Sequence, residues 1–431
     1  MNVGLQVGEQ LLRAAAGLLL NPFYYIGILF LVLQYRRQIA LERKLFAVRL
    51  HSLIGETART VAWGAAAGLA ASLLLTVTGV RLEAGTMILL WAVSLVLLLI
   101  RVRYLCLAYS AGVLGIAHYA AKLFWSPEAG EGGWLREALL AVHVPSLLVL
   151  TAVLHLMEGL LVRRQGARLA LPLFLESKRG KLVGGYQLQG FWPVPLVMLV
   201  PTGSGPLTLP WEPLFSGGQG LAGWSLLAFP AIIGFSQLTT AYLPKDKLRQ
   251  SSGLLWAYAL AVAALAGLAG LWEPLGLLGA GLAALLHEAM IRYGSREEDR
   301  KQPLYVHDDR GMHILAVLPN SAAQEAGLQA GEIVHRVNGV RVRSKEEFHD
   351  ALRINPAFCK LEVLNHEGHS KFVSRALYAD AHHQLGLILS PDDRAPFFLS
   401  EKPPGFASYL RMKWSGMRRN DKARSDFESL S

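Results

Sequence analysis

Three sets of side chains have types and spacings that could carry out chemistry, and two of them resemble half of a zinc motif. A helical His-Glu-x-x-His motif binds zinc through its two histidines and uses the glutamate as a base. His287 and Glu288 supply the first half, but Ile291 stands where the second histidine would be. His155 and Glu158 are spaced to share one helix face and also leave the motif incomplete. The sequence therefore predicts no metal site.

A serine nucleophile is the third candidate. Ser204 stands between Gly203 and Gly205, in a stretch rich in glycine and proline rather than at the start of a regular helix. Cys106 falls in an apolar run and Cys359 lies far along the chain, so the cysteines do not form a disulfide framework. We therefore predict no catalytic residue and no cofactor, and we expect the soluble part to lie in a reducing compartment.

Long apolar runs position these side chains. Hydrophobic residues make up 52% of the 431 residues and charged residues only 17%, which is too apolar for an ordinary soluble protein. Apolar runs of about eighteen or more residues are long enough to cross a bilayer as helices. Lys and Arg, 42 against 32 Asp and Glu, flank these runs, as beside a membrane, and do not suggest nucleic-acid binding. We predict an α-helical, multi-pass membrane domain over residues 1–292.

Eight apolar segments are predicted to cross the bilayer: Leu18–Gln34, Val61–Gly79, Thr86–Ile100, Tyr104–Ala121, Ala138–Val162, Leu221–Leu243, Leu254–Leu271 and Leu275–Ile291. A ninth, Gly190–Pro206, is apolar but interrupted by prolines, and is either a kinked span or a re-entrant loop. One helix from Thr86 to Ala121 would bury Arg101 and Arg103 at its middle. Two short helices with a hairpin at these arginines are predicted instead.

The basic loops predict the orientation of the membrane domain. Lys and Arg cluster in residues 36–59, 163–181, 245–249 and 292–301, and such loops face the cytoplasm. Placing all four on that side requires Gly190–Pro206 to cross. The expected count is then nine spans, with the N-terminus outside and the C-terminal domain in the cytoplasm.

Past Arg292 the pattern changes to that of a small α+β domain, predicted over residues 303–392. Four runs have the composition of strands: His313–Leu318, Glu332–Val337, Lys360–Leu364 and Lys371–Leu377. Ser344–Arg353 is predicted to be a helix, because Phe348 and Leu352 lie four residues apart on one face.

Residues 317–340 resemble the bacterial PDZ pattern. They read as the end of a strand, Ser-Ala-Ala, Ala-Gly-Leu, Gly-Glu-Ile and Asn-Gly, with Glu332 in place of the Asp of the family's Gly-Asp-x-Ile. Ser321 can cap a short helix, and Gly327 can end it in a left-handed conformation. Asn338 and Gly339 can form a tight type I′ turn. The resemblance implies a PDZ fold.

PDZ domains bind a peptide as an added strand at a sheet edge, against a helix. The family's binding loop reads apolar-Gly-apolar, because bare backbone amides must approach a carboxylate. We expect the peptide groove to be formed, in a circularly permuted arrangement, by Leu385, Gly386 and Leu387 together with the helix residues Phe348, Ala351 and Leu352. The alternative loop, which leads the first strand, consists of Arg310, Gly311 and Met312. Either glycine could instead simply end a strand.

A basic tail follows at residues 393–431. Aromatic and apolar residues recur in it at helical spacing with Lys and Arg between them: Phe406, Tyr409, Leu410, Trp414 and Met417. The pattern fits an amphipathic helix on the membrane surface, and it also fits a disordered tail with incidental aromatics.

The whole chain resembles the MinJ family of division-site topology factors from Gram-positive rods. The resemblance lies in the order of its parts: the Leu-Asn-Pro-Phe-Tyr-Tyr of residues 20–25, the Tyr-Arg-Arg of residues 35–37, the Leu-Glu-Ser-Lys-Arg-Gly-Lys-Leu-Val-Gly-Gly of residues 175–185, the Phe-Trp-Pro-Val-Pro of residues 191–195, many spans and one C-terminal PDZ domain.

The resemblance implies an adapter and not an enzyme. Its implied partners are a DivIVA-like polar scaffold, a MinD-like ATPase and the lipid bilayer, and its implied location is the cell membrane at division septa and cell poles. Two other classes remain open from the residues alone. One is a PDZ-containing intramembrane protease or its regulator, and the other is a transporter with a regulatory PDZ domain, whose broken helix would be Gly190–Pro206.

Overall fold

A computed structural model describes residues 3–125, 133–177, 180–202, 205, 207–209, 211, 213–214, 222–355, 357–376, 385–391 and 399–400. The chain forms a helical part, a long β-hairpin that packs against those helices, and a small C-terminal α+β domain. Within the described residues the helical part contains α1 (Val3–Leu20), α2 (Pro22–Phe46), α3 (Leu53–Thr78), α4 (Ala84–Ile100), α5 (Leu107–Phe124), α6 (Trp134–Leu140), α7 (Val144–Gln165), α8 (Pro244–Leu271) and α9 (Leu275–Arg300).

Several of these helices can cross a membrane. Among the described residues, α3, α7, α8 and α9 are long and apolar enough to do so. The pair α1 and α2, bent by 52° where they meet, would make a fifth span if it acts as one. Two short helices were predicted around Arg101–Arg103, and this is confirmed, because α4 ends at Ile100 and α5 begins at Leu107.

Two predicted helix boundaries are wrong because of local capping. The segment Leu18–Gln34 is divided at Asn21, whose side chain accepts a hydrogen bond from Phe23 N at 3.0 Å and starts α2. The segment Ala138–Val162 is divided at His143, which caps α7 by accepting from Ser146 N at 3.3 Å.

The prediction of a kinked span or re-entrant loop at Gly190–Pro206 and that of a helical span at Leu221–Leu243 are also wrong, since strands occupy the described parts of both segments. β2 (Leu182–Pro201) and β4 (Ala222–Thr239) form an antiparallel hairpin paired from Tyr186 opposite Thr239 to Pro201 opposite Trp224. The described residues of Gly190–Pro206 therefore do not form the broken helix that suggested a transporter.

The prolines explain why β2 is a strand. Pro193 and Pro195 have no N–H to give to a helix. In β2 the backbone nitrogens of both prolines face the same way as that of Val197. The Val197 N–H points away from β4 and donates to Ser72 Oγ on α3 at 2.9 Å. Because the proline nitrogens face away from β4, the hydrogen bonds between β2 and β4 are kept. Proline is tolerated on the free side of a strand for this reason.

Small residues on α3 cover that free side. Gly64, Gly68 and Ser72 follow at four-residue intervals on one face of the helix. A Cβ at Gly64 would collide with Pro193 O, and one at Gly68 with Pro195 O. The helix therefore approaches the strand backbone closely, and the edge of the hairpin is enclosed by the helical part.

Shorter strands complete this first sheet. They are β1 (Ala170–Glu176), β3 (Leu207–Thr208), β5 (Tyr305–Val306) and β12 (Leu399–Ser400). The order is β12-β1-β2-β4-β3, and β5 pairs with β2 at Val183 and Gly184. Because β5 opens the C-terminal domain, the sheet attaches that domain to the hairpin. Apart from residues 399–400, the predicted tail from residue 393 lies outside the described residues.

The C-terminal domain has the predicted α+β order. Its elements are β6 (Met312–Val317), α10 (Ala322–Glu325), β7 (Ile333–Val337), β8 (Val340–Arg341), α11 (Lys345–Arg353), β9 (Phe358–Leu364), β10 (Ser370–Ala376) and β11 (Leu387–Leu389). Ser321 caps α10 by accepting from Gln324 N, and Gly327 follows it at φ +71°. Asn338 and Gly339, both at positive φ, turn β7 into β8. These local predictions are confirmed.

Candidate peptide-binding site

The strand β11 ends the second sheet, whose order within the described residues is β10-β9-β7-β6-β11. It pairs antiparallel with β6. Gly386 O accepts from Leu318 N, and Ser390 N donates to His313 O, both at 2.8 Å. Leu385 and Gly386 lead into the strand at φ +57° and +79°. The predicted loop Leu385-Gly386-Leu387 thus opens the edge strand, in the circularly permuted position.

The other side of β11 has no partner strand among the residues that the structure describes. Backbone groups along a strand alternate in direction. Since Gly386 and Ser390 point toward β6, Leu387 and Leu389 point their N–H and C=O groups away from it. A peptide strand that pairs with these two residues would extend the sheet.

The helix residues predicted for the groove lie in the same hydrophobic cluster as Leu385 and Leu387. Phe348, Ala351 and Leu352 are buried, with 1%, 2% and 7% of their surface exposed. Membership of this cluster places all five side chains in the core of the domain. Phe348 is buried to the extent expected of a core side chain.

The alternative loop has different surroundings. Arg310-Gly311-Met312 leads β6, which is paired on both sides, by β7 and β11. A Cβ on Gly311 would collide with Val334 O. The Arg310 guanidinium is bound to Asp308, with Nη2 to Oδ2 at 2.7 Å. In this alternative loop, the backbone at Gly311 packs against Val334 and the charge of Arg310 is paired with Asp308.

The Asp308 carboxylate also contacts His313, and the pKa values of both side chains are shifted. Burial would raise the pKa of Asp308, but hydrogen bonds from Arg310 and His313 hold it below its usual value. Burial lowers the pKa of His313 despite the 3.3 Å contact of its Nε2 with Asp308 Oδ2. Asp308 is thus a stable anion that fixes the turn before β6.

Gly386 has a structural role that the sequence did not reveal. A Cβ at this position would collide with Cβ of Ser321, the residue that caps α10. Its positive φ also favours glycine. The glycine therefore lets the binding loop pack against α10, so a larger residue there would disturb the domain as well as any bound peptide.

The histidines considered for catalysis meet in a way that neither incomplete zinc motif predicts. His155 on α7 and His287 on α9 belong to two separate incomplete motifs, yet both contact Cys106. The sequence offered no signal for this meeting, because the three residues come from distant segments. Ser204 lies outside the described residues.

Several span-capable helices, joined to a PDZ-like sheet in which β11 is an edge strand among the described residues, define the class: a membrane protein with a C-terminal PDZ domain. A PDZ domain family model matches residues 313–364. No solved structure matches this chain significantly.

Curated relatives narrow the class. The "Cell division topological determinant MinJ" of Bacillus subtilis (strain 168) is 30% identical over 403 residues, which are 91% of this chain and 98% of the relative. The "Probable cell division topological determinant MinJ" of Lacticaseibacillus paracasei is 25% identical over 359 residues, 82% of this chain and 91% of the relative. The chain belongs to the MinJ family, which supports a role in division-site selection.

Proposed function

We propose that this chain is a non-catalytic, multi-pass membrane adapter that recruits Min-system inhibitor proteins to division septa and cell poles. Its partners would be a DivIVA-like scaffold that positions it and a MinD-like ATPase that it recruits. The observation that carries the proposal is the match to the Bacillus subtilis relative across 98% of that protein, because it includes the membrane part and the PDZ domain together.

The edge strand β11 supports a peptide-binding role for the PDZ domain. Leu387 and Leu389 direct their main-chain groups away from β6. Leu385, Leu387 and Phe348 belong to one hydrophobic cluster, and Leu389 packs against it. A partner segment in extended conformation would bind there by adding a strand. The loop Arg310-Gly311-Met312 remains the alternative.

The hairpin supports the predicted orientation with fewer helical spans. Its two strands begin and end on the same side, near Tyr186 and Thr239. Replacing two predicted crossings by one hairpin leaves the sidedness unchanged, so the basic loops at 163–181 and 245–249 still share a side. The PDZ domain, which follows α9, would face the cytoplasm, where soluble Min proteins act.

Complementation tests this proposal. The chain would be expressed in a Bacillus subtilis strain that lacks its own MinJ, and septum positions would be measured by fluorescence microscopy. We expect septum placement to be restored toward the parental pattern. A chain that is present in the membrane at the parental level but leaves septum placement uncorrected would contradict the proposal.

A further inference from the structure

The residues Cys106, His155 and His287 form a compact cluster inside the helical part. Cys106 Sγ lies 3.1 Å from His155 Nε2 and 3.4 Å from His287 Nε2. One ligand-type atom from each residue lies within 4.8 Å of the other two. Both histidines are buried, with 2% and 6% of their surface exposed.

These separations fit a tetrahedral zinc ion. Zinc lies about 2.3 Å from sulfur and about 2.0 Å from imidazole nitrogen, so its ligand atoms are about 3.3–3.6 Å apart. The two sulfur–nitrogen distances are within a few tenths of an ångström of that range. Only small side-chain shifts would therefore be needed to bind the ion. Thiolate and imidazole are the ligands that zinc prefers.

The hydrogen bonds around His155 orient it as a ligand. Its Nδ1 contacts Thr151 O at 2.7 Å. A carbonyl oxygen only accepts, so Nδ1 carries the proton and Nε2 keeps its lone pair toward Cys106. Metal-binding histidines are held in this way by a second hydrogen bond.

His287 lies at the cluster without a second hydrogen bond like that of His155 Nδ1 among the described residues. Among the described residues its Nδ1 is buried and has no hydrogen-bond partner. The rings of Tyr109 and Tyr258, at 5.1 and 5.4 Å, hold the imidazole in position. Burying an unpaired ring nitrogen costs free energy, and coordination through Nε2 would offset that cost.

Cys106 lies at the start of a helix, where the helix dipole offsets part of the cost of burying a thiolate. It is the residue before the first turn of α5, and the positive end of a helix dipole stabilises a thiolate. Its segment is fastened beside His287, because Glu288 accepts from Arg103 Nη2 at 2.5 Å and from Tyr109 Oη at 2.9 Å.

Glu158, one helical turn from His155, can supply a fourth ligand once its side chain moves closer to the other three residues. Glu158 Oε2 is 4.0 Å from His155 Nε2, and the Glu158 side chain is 12% exposed. A thiolate and a carboxylate together neutralise the two charges of Zn²⁺, which suits a site of low dielectric constant. On binding, the Cys106 thiol loses its proton to solvent.

We propose that Cys106, His155, His287 and Glu158 form a zinc site that fastens the start of α5 to α7 and α9. With Glu158 as the fourth ligand, the protein would fill all four positions of the ion, as in a structural zinc site. It holds in place α9, the helix that leads into the PDZ domain.

Metal analysis of the full chain tests this proposal. The protein would be purified in detergent without a polyhistidine tag, and its zinc content would be measured by inductively coupled plasma mass spectrometry. We expect about one zinc per chain, falling to below about a tenth in Cys106→Ala, His155→Ala and His287→Ala. Cys359→Ala and His118→Ala, which change a cysteine and a buried histidine outside the cluster, should keep the metal.

Cobalt gives a second measurement, and its first part uses the wild-type chain alone. Apo wild-type chain titrated with Co²⁺ should show the visible bands of tetrahedral cobalt and a thiolate-to-cobalt charge-transfer band. Cys106→Ser should lose the charge-transfer band. A wild-type chain that binds neither metal, or metal binding that survives both Cys106→Ala and His287→Ala, would overturn the site.

Discussion

The hydroxyl of Tyr305 hydrogen-bonds to the hydroxyl of Tyr186 at 2.8 Å, and both side chains are buried. Tyr186 in turn donates to Leu315 O at 2.5 Å, so Tyr305 is the donor to Tyr186. Burial raises the pKa of Tyr305 to about 12, which keeps it protonated at physiological pH. This chain of hydroxyls joins β2 of the hairpin to β5 and β6 and holds the PDZ domain on the membrane part.

Removing the central hydroxyl should loosen this attachment. Tyr186→Phe leaves Leu315 O and the Tyr305 hydroxyl without their partner, which costs about 1–3 kcal/mol for buried groups. We expect faster amide hydrogen exchange in β6, measured by mass spectrometry on the full chain. Tyr293→Phe, at a side chain that is 51% exposed, is the matched control. Equal exchange in Tyr186→Phe and the control would contradict the role of the hydroxyl chain.

Phe348 should contribute to stability more than to binding. Its side chain is 1% exposed, and truncation of a buried Phe costs about 3–5 kcal/mol. Phe348→Ala should therefore lower the protection of the PDZ domain against proteolysis. Phe372→Ala, where the side chain is 77% exposed, should leave it unchanged. If Phe348→Ala resisted the protease as well as the wild type, the buried assignment would be wrong.

The His51–Glu42 pair predicts a pH-dependent contribution to stability. His51 Nδ1 contacts Glu42 Oε1 at 2.5 Å, and His51 Nε2 contacts Arg168 O at 2.8 Å. Burial lowers the pKa of His51, but the hydrogen bond to Glu42 and its charge together raise the pKa by more than burial lowers it. The pKa of His51 is therefore higher in the folded state than in the unfolded state. The stabilisation is therefore complete below the unfolded pKa of about 6.5 and is lost as pH rises through the folded pKa.

Thermal unfolding of the wild type and of His51→Gln in detergent checks this sign. The difference in Tm should be largest near about pH 6 and should shrink toward about pH 8.5. A difference that stays constant or grows with pH would show that protonated His51 does not stabilise the fold.

The orientation can be tested with single cysteines at exposed sites. Gly133→Cys should react with an impermeant maleimide added to intact cells, because the loop before α6 is predicted to face outside. Arg164→Cys and Arg300→Cys should react only after the cells are opened. The unmodified chain is the control for Cys106 and Cys359. Labelling of Gly133→Cys and Arg300→Cys on the same side would contradict the predicted sidedness.

The PDZ domain could be predicted from sequence because local chemistry specifies it. The Ser321 cap, the left-handed Gly327 and the Asn338-Gly339 turn each fix a junction, and the structure has all three. The hairpin could not, because an apolar run of 17–23 residues fits a helix as well as a long strand by hydropathy alone. The prolines in Gly190–Pro206 argued against a regular helix, but only the pairing with β4 shows that the segment is a strand.

The cluster around Cys106 was beyond sequence reasoning for another reason. Cys106 and His287 are 181 positions apart, so no spacing rule connects them. The groove is an intermediate case, in which the apolar-Gly-apolar pattern occurred at Gly311 and at Gly386. Only strand order distinguishes an interior strand from an edge strand.

The edge strand offers the most direct test of the adapter. Leu389→Pro removes one outward N–H from β11, and proline is tolerated on the free side of an edge strand. Leu389→Ala shortens the same side chain and keeps that N–H. Both variants should fold and reach the membrane at wild-type levels.

The decisive measurement is the distribution of a fluorescent MinD-like ATPase in cells whose only MinJ-family protein is this chain. We expect the ATPase to gather at septa and poles with the wild type and with Leu389→Ala, and to disperse with Leu389→Pro. An ATPase distribution that is the same with and without the wild-type chain would contradict the adapter role. Normal recruitment by a folded Leu389→Pro variant would contradict the use of the β11 edge.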